Sequence, residues 1–259
     1  MSTIVVTGSA GGIGSATTAR LRAAGHEVIG VDVRDADVIA DLSTAVGRAA
    51  MVDAVERRSG GVLDGVVAGA GVSGQPGELV VAVNYFGAVA TLVGLRPLLA
   101  KGTNPSAVAI SSNSVSTQPT VPADIVKVCL AGDEQEAWRV AGVDTSGIGA
   151  YAAAKLALAR WVRQQAVAAD WIGSGIRLNA VAPGFIDTPM TADAKDFILS
   201  LGDVYPIPIG RSGRADEIAA LLEFLLGPDA GFFCGSVVYA DGGTDAAVRP
   251  DDWPAPRPA

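Results

Sequence analysis

The sequence predicts an α/β protein built on a doubly wound parallel sheet, and three observations carry that prediction. Short β-branched apolar runs alternate with segments of helical spacing from the first residues onward. The runs are apolar throughout rather than alternating, as strands covered by helices on both faces must be. A glycine-rich turn joins the first run to the first helical segment. In chain order, Thr3 to Thr7 reads as a strand, Gly12 to Ala24 as a helix, Glu27 to Val33 as a strand and Ser43 to Arg57 as a helix. Leu63 to Ala68 is a third strand, Leu79 to Leu99 a long helix, and Ser106 to Ser111 a fourth strand. Ala150 to Ala169 is a helix, Ile176 to Ala180 a strand, Ala215 to Leu226 a helix and Ser236 to Tyr239 a last strand.

No repeat or low-complexity linker interrupts this alternation, so the 259 residues read as a single domain. Two segments depart from it. Between the fourth strand and the Ala150 helix, Val115 to Gly149 divides into two short helical pieces broken at Gly132, with Asp133 and Glu136 placed as an N-cap and its box partner. At the end, Arg249 to Ala259 carries four prolines and predicts an extended surface arm.

Composition removes several function classes. Hydrophobic residues at 49% and charged residues at 18% describe a chain that buries a large core. With 19 Lys+Arg against 27 Asp+Glu the formal charge is -8, which repels a nucleic-acid backbone. Cys129 and Cys234 stand far apart, and His26 is the single histidine, so no Cys/His zinc cluster is available and no metal site is expected. His26, beside Gly25, reads as a turn residue, which also leaves a Ser-His-Asp hydrolase without its base. The N-terminus has no basic stretch and apolar core of a signal peptide, which predicts a cytoplasmic protein. The uncharged run Leu79 to Leu95 is shorter than a bilayer span and reads as a buried helix.

The chemistry concentrates at the ends of the predicted strands. After the first strand comes Thr7-Gly8-Ser9-Ala10-Gly11-Gly12-Ile13-Gly14, then a helix. Glycines there permit a sharp turn and let backbone N–H groups approach a pyrophosphate, whose charge the helix N-terminus stabilises. The second strand ends in Val31-Asp32-Val33, where a carboxylate can accept both hydroxyls of an adenosine ribose and repels a 2′-phosphate. This favours NAD over NADP, and Arg34 reads as a solvated strand-end residue. Tyr151 and Lys155 stand four apart on one helix face, where a cation favours the phenolate and makes the tyrosine an acid/base near neutrality.

The combination of the Thr7 to Gly14 turn, Asp32, Asn84, Ser112 and the Tyr151/Lys155 pair resembles the short-chain dehydrogenase/reductase family, from Thr3 to about Gly243. The resemblance implies a Rossmann fold and hydride exchange between NAD and a secondary alcohol or ketone. It implies Tyr151 as proton donor and acceptor, Lys155 as its electrostatic partner and a ribose ligand, and Ser112 as the group that orients the substrate oxygen, with Ser111 and Ser114 as rivals. Asn84 would hold a water linking Lys155 to solvent. Gly8, Ser9, Gly12, Ile13, Gly14 and Asp32 would hold the pyrophosphate and ribose, Asp41 and Leu42 would flank the adenine, and Gly69 would approach the cofactor through its backbone. Pro183 and Gly184 would cradle the nicotinamide, whose carboxamide Ile186 and Thr188 would meet.

Two departures from the family pattern stand out. Ala68-Gly69-Ala70-Gly71 replaces an Asn-Asn-Ala-Gly string, and the interval from Ser112 to Tyr151 is much longer than usual, so Val115 to Gly149 reads as an insertion. That insertion, with Val33 to Ser43, Val83 to Ala88 and Asp241-Gly242-Gly243, is similar to the bacterial 3α-hydroxysteroid dehydrogenase/carbonyl reductases. The region from Asp187 to Arg211 would form a lid; its Met190, Phe197, Ile198, Leu199, Leu201 and Tyr205 suit a hydrophobic small-molecule alcohol or ketone, or else pack a helix on the core. A non-catalytic NAD-binding sensor is the rival reading, with no reason to retain Asn84, Ser112, Tyr151 and Lys155 together. The insertion either extends the substrate cleft or covers the family's usual contact face, leaving a homodimer through Ala215 to Tyr239.

Overall fold

The computed structural model describes residues 1–253; Pro254 to Ala259 of the expected arm lie outside the described residues. Its elements are β1 (Thr3–Thr7), α1 (Gly12–Ala23), β2 (Glu27–Asp32), β3 (Val38–Ile39), α2 (Ala45–Ser59), β4 (Gly65–Ala68), α3 (Gly77–Val81), α4 (Ala88–Leu99) and β5 (Ser106–Ile110). There follow α5 (Ser114–Thr117), α6 (Ala123–Ala131), α7 (Glu134–Ala141), α8 (Ile148–Ala166), β6 (Arg177–Pro183), β7 (Ile186–Asp187), α9 (Lys195–Ser200), β8 (Gly213–Arg214), α10 (Ala215–Leu226), β9 (Val237–Ala240) and α11 (Thr244–Val248).

Seven strands form one sheet in the order β3-β2-β1-β4-β5-β6-β9. All the pairings are parallel. β1 lies inside the sheet with Ile4, Val5 and Val6 buried on both faces. On one face α1 and α10 pack over Ile4, Val6, Val67 and Val108; on the other, α2, α4 and α8 cover Val5, Val66, Ala107 and Leu178. The chain doubles back between β1 and β4, so the strand ends around that switch point open into a crevice.

Local chemistry sets the helix limits. Thr44 caps α2 by accepting from Gly47 N at 3.0 Å, and Gly60 ends it in the left-handed region. Asp133 caps α7 by accepting from Glu136 N at 3.0 Å. The reciprocal half of the expected box is missing, because the Glu136 carboxylate pairs with Arg139 instead. In α8 the small side chains of Ala150, Ala152, Ala153, Ala154 and Ala157 are buried, which lets the helix lie close against the sheet.

Several expectations change. The two-residue strands β3, β7 and β8 and the helix α11 carry too few residues for a periodic signal. The long apolar helix spans Gly77–Leu99, 23 residues, because it continues past Glu78 and Arg96; it is long and apolar enough to cross a membrane, yet 61% of its most apolar stretch is buried within the fold. Its middle, Ala82–Gly87, widens into a π turn. The tail does not begin as an extended arm: Arg249 pairs with Asp245 at 2.5 Å and stacks between the Tyr239 and Trp253 rings.

Candidate active site

The strand ends enclose a cavity of about 580 Å³. One end is the turn between β1 and α1. Gly8 adopts φ 74°, and a Cβ on Gly14 would sit 2.0 Å from the Gly8 carbonyl oxygen, so both positions require glycine. Gly11, the N-cap of α1, offers no side chain, which leaves the first-turn N–H groups to an anion from the cavity. Thr7 Oγ1 accepts from Gly69 N at 3.1 Å and Ala70 N at 3.2 Å, holding the loop after β4 against this turn.

Asp32 closes that end of the cavity. Its carboxylate accepts from Ala10 N at 3.0 Å and Val33 N at 2.7 Å, one bond per oxygen, and retains lone pairs for hydroxyl groups of a ligand. Asp41 and Leu42 line the wall beyond it. Thr188 lies across Gly12, whose Cβ, if present, would come within 2.6 Å of it. A glycine cradle, an exposed set of helix N–H groups and a carboxylate at the ribose position together fit an adenine dinucleotide.

The other end holds the reactive groups. Ser112 lies just past β5 and accepts from Ser114 N at 3.2 Å; with Tyr151 it lines the same cavity. Burial raises the Tyr151 pKa, and the Ser112 hydroxyl offsets part of that rise. Lys155 is 4% exposed; its ammonium donates to the Ile110 carbonyl at 2.7 Å and sits 5.9 Å from the Tyr151 ring centre. Burial brings the Lys155 pKa down to about 8. The Tyr151 pKa therefore stands above its ordinary value where a lowering is expected, because desolvation of the phenol is the largest influence on it.

The cavity brings together Gly8, Gly12, Ile13, Gly14, Asp32, Asp41, Leu42, Gly69, Ser112, Tyr151, Lys155, Pro183, Gly184, Ile186 and Thr188. Ser9 is turned away: its N–H donates to Val31 O at 3.2 Å and its hydroxyl abuts Gly30, so Ala10 and Gly11 take its place on the wall. Asn84 stands in the π turn behind the wall, where Oδ1 accepts from Val72 N at 2.8 Å and Nδ2 donates to Val72 O at 2.9 Å. Both ends of its amide hold the loop after β4. Of the rival serines, Ser111 donates to the Lys155 carbonyl at 3.0 Å, and the Ser114 hydroxyl is buried with no partner among the described residues.

Three contributors carried no motif. Asn113 and Tyr205 exchange hydrogen bonds at 2.9 and 3.1 Å, fastening the segment between β7 and β8 beside Ser112. Asp144 accepts from Gly147 N and Ala150 N, each at 2.9 Å, and so caps the helix that carries Tyr151 and Lys155. Arg48 buttresses the Leu42 wall from behind. Asp144 was legible in principle as an acidic residue just ahead of a helix start; the other two depend on contacts between segments distant in sequence.

The chain is similar to proteins of known activity over nearly its whole length. The NAD-dependent epimerase/dehydratase family profile matches residues 4–115, and that of the enoyl-(acyl carrier protein) reductases residues 139–245. A 3-alpha-hydroxysteroid dehydrogenase/carbonyl reductase of Comamonas testosteroni is 42% identical over 98% of this chain and 100% of its own. The short-chain reductase protein NovJ of Streptomyces niveus is 31% identical over 93% of each. The crystal structure of the 3-alpha-hydroxysteroid dehydrogenase from Pseudomonas sp. B-0831, complexed with NADH, superposes with a TM-score of 0.90 at 44% identity, covering 97% of this chain and 100% of that one. With the strand order, the glycine turn and the Ser112, Tyr151 and Lys155 cluster in one cavity, these similarities place the chain in the short-chain dehydrogenase/reductase family of oxidoreductases.

Proposed function

We propose that the protein is an NAD(H)-dependent dehydrogenase that interconverts a hydrophobic secondary alcohol and its ketone, as in hydroxysteroids and aromatic carbonyl compounds. The observation that carries this reading is a single cavity with Asp32 and the glycine turn at one end and Ser112, Tyr151 and Lys155 at the other. The relatives described above as 3-alpha-hydroxysteroid dehydrogenases support the substrate class. The lid supports it as well: Phe197 is 65% exposed and Met190 faces the cavity, so the apolar residues of α9 and its flanks do not pack on the core.

Gly8, Gly12, Gly14 and Asp32 would hold the pyrophosphate and adenosine ribose, and Pro183, Gly184, Ile186 and Thr188 the nicotinamide end. The nicotinamide, when bound, supplies a hydride to the carbonyl carbon in reduction and accepts one in oxidation. Ser112 and Tyr151 hydrogen-bond the substrate oxygen between them. In reduction Tyr151 gives its phenolic proton to that oxygen, and in oxidation it receives the proton back. Lys155, with its pKa near 8, holds a proton that can be exchanged in the working pH range and stabilises the phenolate as it forms. Replacing Tyr151 by Phe keeps the cavity wall and removes the proton. Turnover is expected to fall by about 10³-fold or more while NADH still binds within about threefold, and retained turnover overturns the assignment.

A homodimer in the cytoplasm through α10 and β9 completes the reading. It is supported by Phe232, fully exposed on that face, and by Phe224, half-exposed and edge-on against Phe233. The helices α6 and α7 lie against α8 and α3, occupying the opposite face.

A further inference from the structure

Arg48 is the most heavily engaged cation behind the cavity, and nothing in the proton chemistry uses it. It projects from the first turn of α2 and is 8% exposed. Its Nε donates to the Leu42 carbonyl at 2.7 Å, and Nη2 donates to the Ser43 carbonyl at 3.1 Å and the Ala82 carbonyl at 2.9 Å. The fork then closes on one carboxylate, Nη1 to Glu134 Oε2 at 2.8 Å and Nη2 to Glu134 Oε1 at 2.6 Å. Leu42 and Ser43 are wall residues at the Asp32 end of the cavity, Ala82 opens the π turn that carries Asn84, and Glu134 is the first residue of α7. One planar side chain thus ties three backbone carbonyls of the cavity wall and its support to the segment between β5 and α8.

We propose that Arg48 and Glu134 are positioning residues for the adenosine half of the cofactor site, so that α7 serves dinucleotide binding as well as any role in cleft or assembly. The proposal rests on the reading of this cavity as a dinucleotide site. The physical case is one of desolvation. A buried guanidinium with carbonyl partners alone keeps an uncompensated charge, and the carboxylate of Glu134 is what makes its burial tolerable. The fork geometry then fixes the direction of the Leu42 and Ser43 carbonyls, and with them the strip of backbone from Asp41 to Ser43 that faces the cavity. A lysine at this position reaches too few of these acceptors to hold all of them. Neither residue approaches Ser112 or Tyr151 in this hydrogen-bond network, so the chemistry at the other end of the cavity is independent of it.

The test measures ADP-ribose affinity by calorimetry, and KM for NADH and kcat with a ketone, in the wild type and in Arg48→Met, Arg48→Lys and Glu134→Ala, all below their melting temperatures. The expected result for Arg48→Met is about a tenfold weaker ADP-ribose affinity and a matching rise in KM for NADH, with kcat at saturating NADH within about twofold. Arg48→Lys falls between this variant and the wild type. Glu134→Ala, at the more exposed end of the contact, gives the same pattern at about threefold and decides the matter if Arg48→Met does not fold. Unchanged ADP-ribose affinity in the folded variants, or a loss of kcat with KM preserved, overturns the proposal while leaving the dinucleotide reading intact. A wild-type protein that binds neither ADP-ribose nor NADH overturns both.

Discussion

Asp32 shows how one side chain serves structure and selectivity together. It fastens the glycine turn through Ala10 N and its own strand end through Val33 N, and its remaining lone pairs face the cavity. A 2′-phosphate there meets a fixed negative charge, while ribose hydroxyls find acceptors. Asp32→Ala is therefore expected to weaken NADH by about tenfold or more and to reduce the preference for NADH over NADPH, read as the ratio of kcat/KM for the two cofactors. An unchanged ratio assigns the selectivity elsewhere. Asp32 was legible from its place at a strand end after the glycine turn and Tyr151 with Lys155 from their shared helix face, whereas Ser112 was set apart from Ser111 and Ser114 only by the family resemblance. The positions of Ser9 and Asn84 were not legible, since the facing of Ser9 depends on β2 and that of Asn84 on a π turn without a sequence signature. The raised Tyr151 pKa was hidden for a related reason: burial is a property of the assembled site, and neither the phenol nor the ammonium reveals it in sequence.

At the scale of the element, α8 is held at its start by a residue outside it. Its N-cap, Gly147, has no side chain, and Asp144 supplies the acceptors instead. Burial pushes the Asp144 carboxyl up, but bonds from Ala150, Ser146, Gly147 and Gly149 outweigh this and hold it below the usual carboxylate range. A carboxyl lowered on folding adds stability above the unfolded value, near 4, and loses it as the pH falls through the folded value. Asp144→Ala is expected to cost about 1 kcal/mol at pH 7, with the difference from wild type shrinking below about pH 4. Thermal melts across pH check it, and a constant difference contradicts the assignment. Long periodic helices and wholly apolar strands were readable, as were α6 and α7, because Gly132 and Asp133 mark their junction, while the single turn of α5 before them was not. β3, β7, β8 and α11 were not, since strands of two residues and a helix of little more than one turn are defined by their partners rather than by their own pattern.

For the whole molecule, the formal charge of -8 favours solubility and opposes close association, so any assembly must bury apolar surface. The face of α10 and β9 offers Phe224 and Phe232 for this purpose. Light scattering is expected to give twice the 26.1 kDa of the chain, and Phe232→Asp to reduce it to the single chain. A tetramer mass that persists on dilution contradicts this. The all-parallel sheet described above also has a consequence in time. No two neighbouring strands are joined by a tight hairpin, so every pairing except that of the short β3 with β2 awaits a crossover, and such long-range closures fold slowly. β1, β2 and β4 come from the first quarter or so of the chain, whereas β9 joins β6 only after the lid and α10 have been made. A nascent chain therefore brings out its phosphate-binding turn well before the segments that line the far wall of its catalytic cleft.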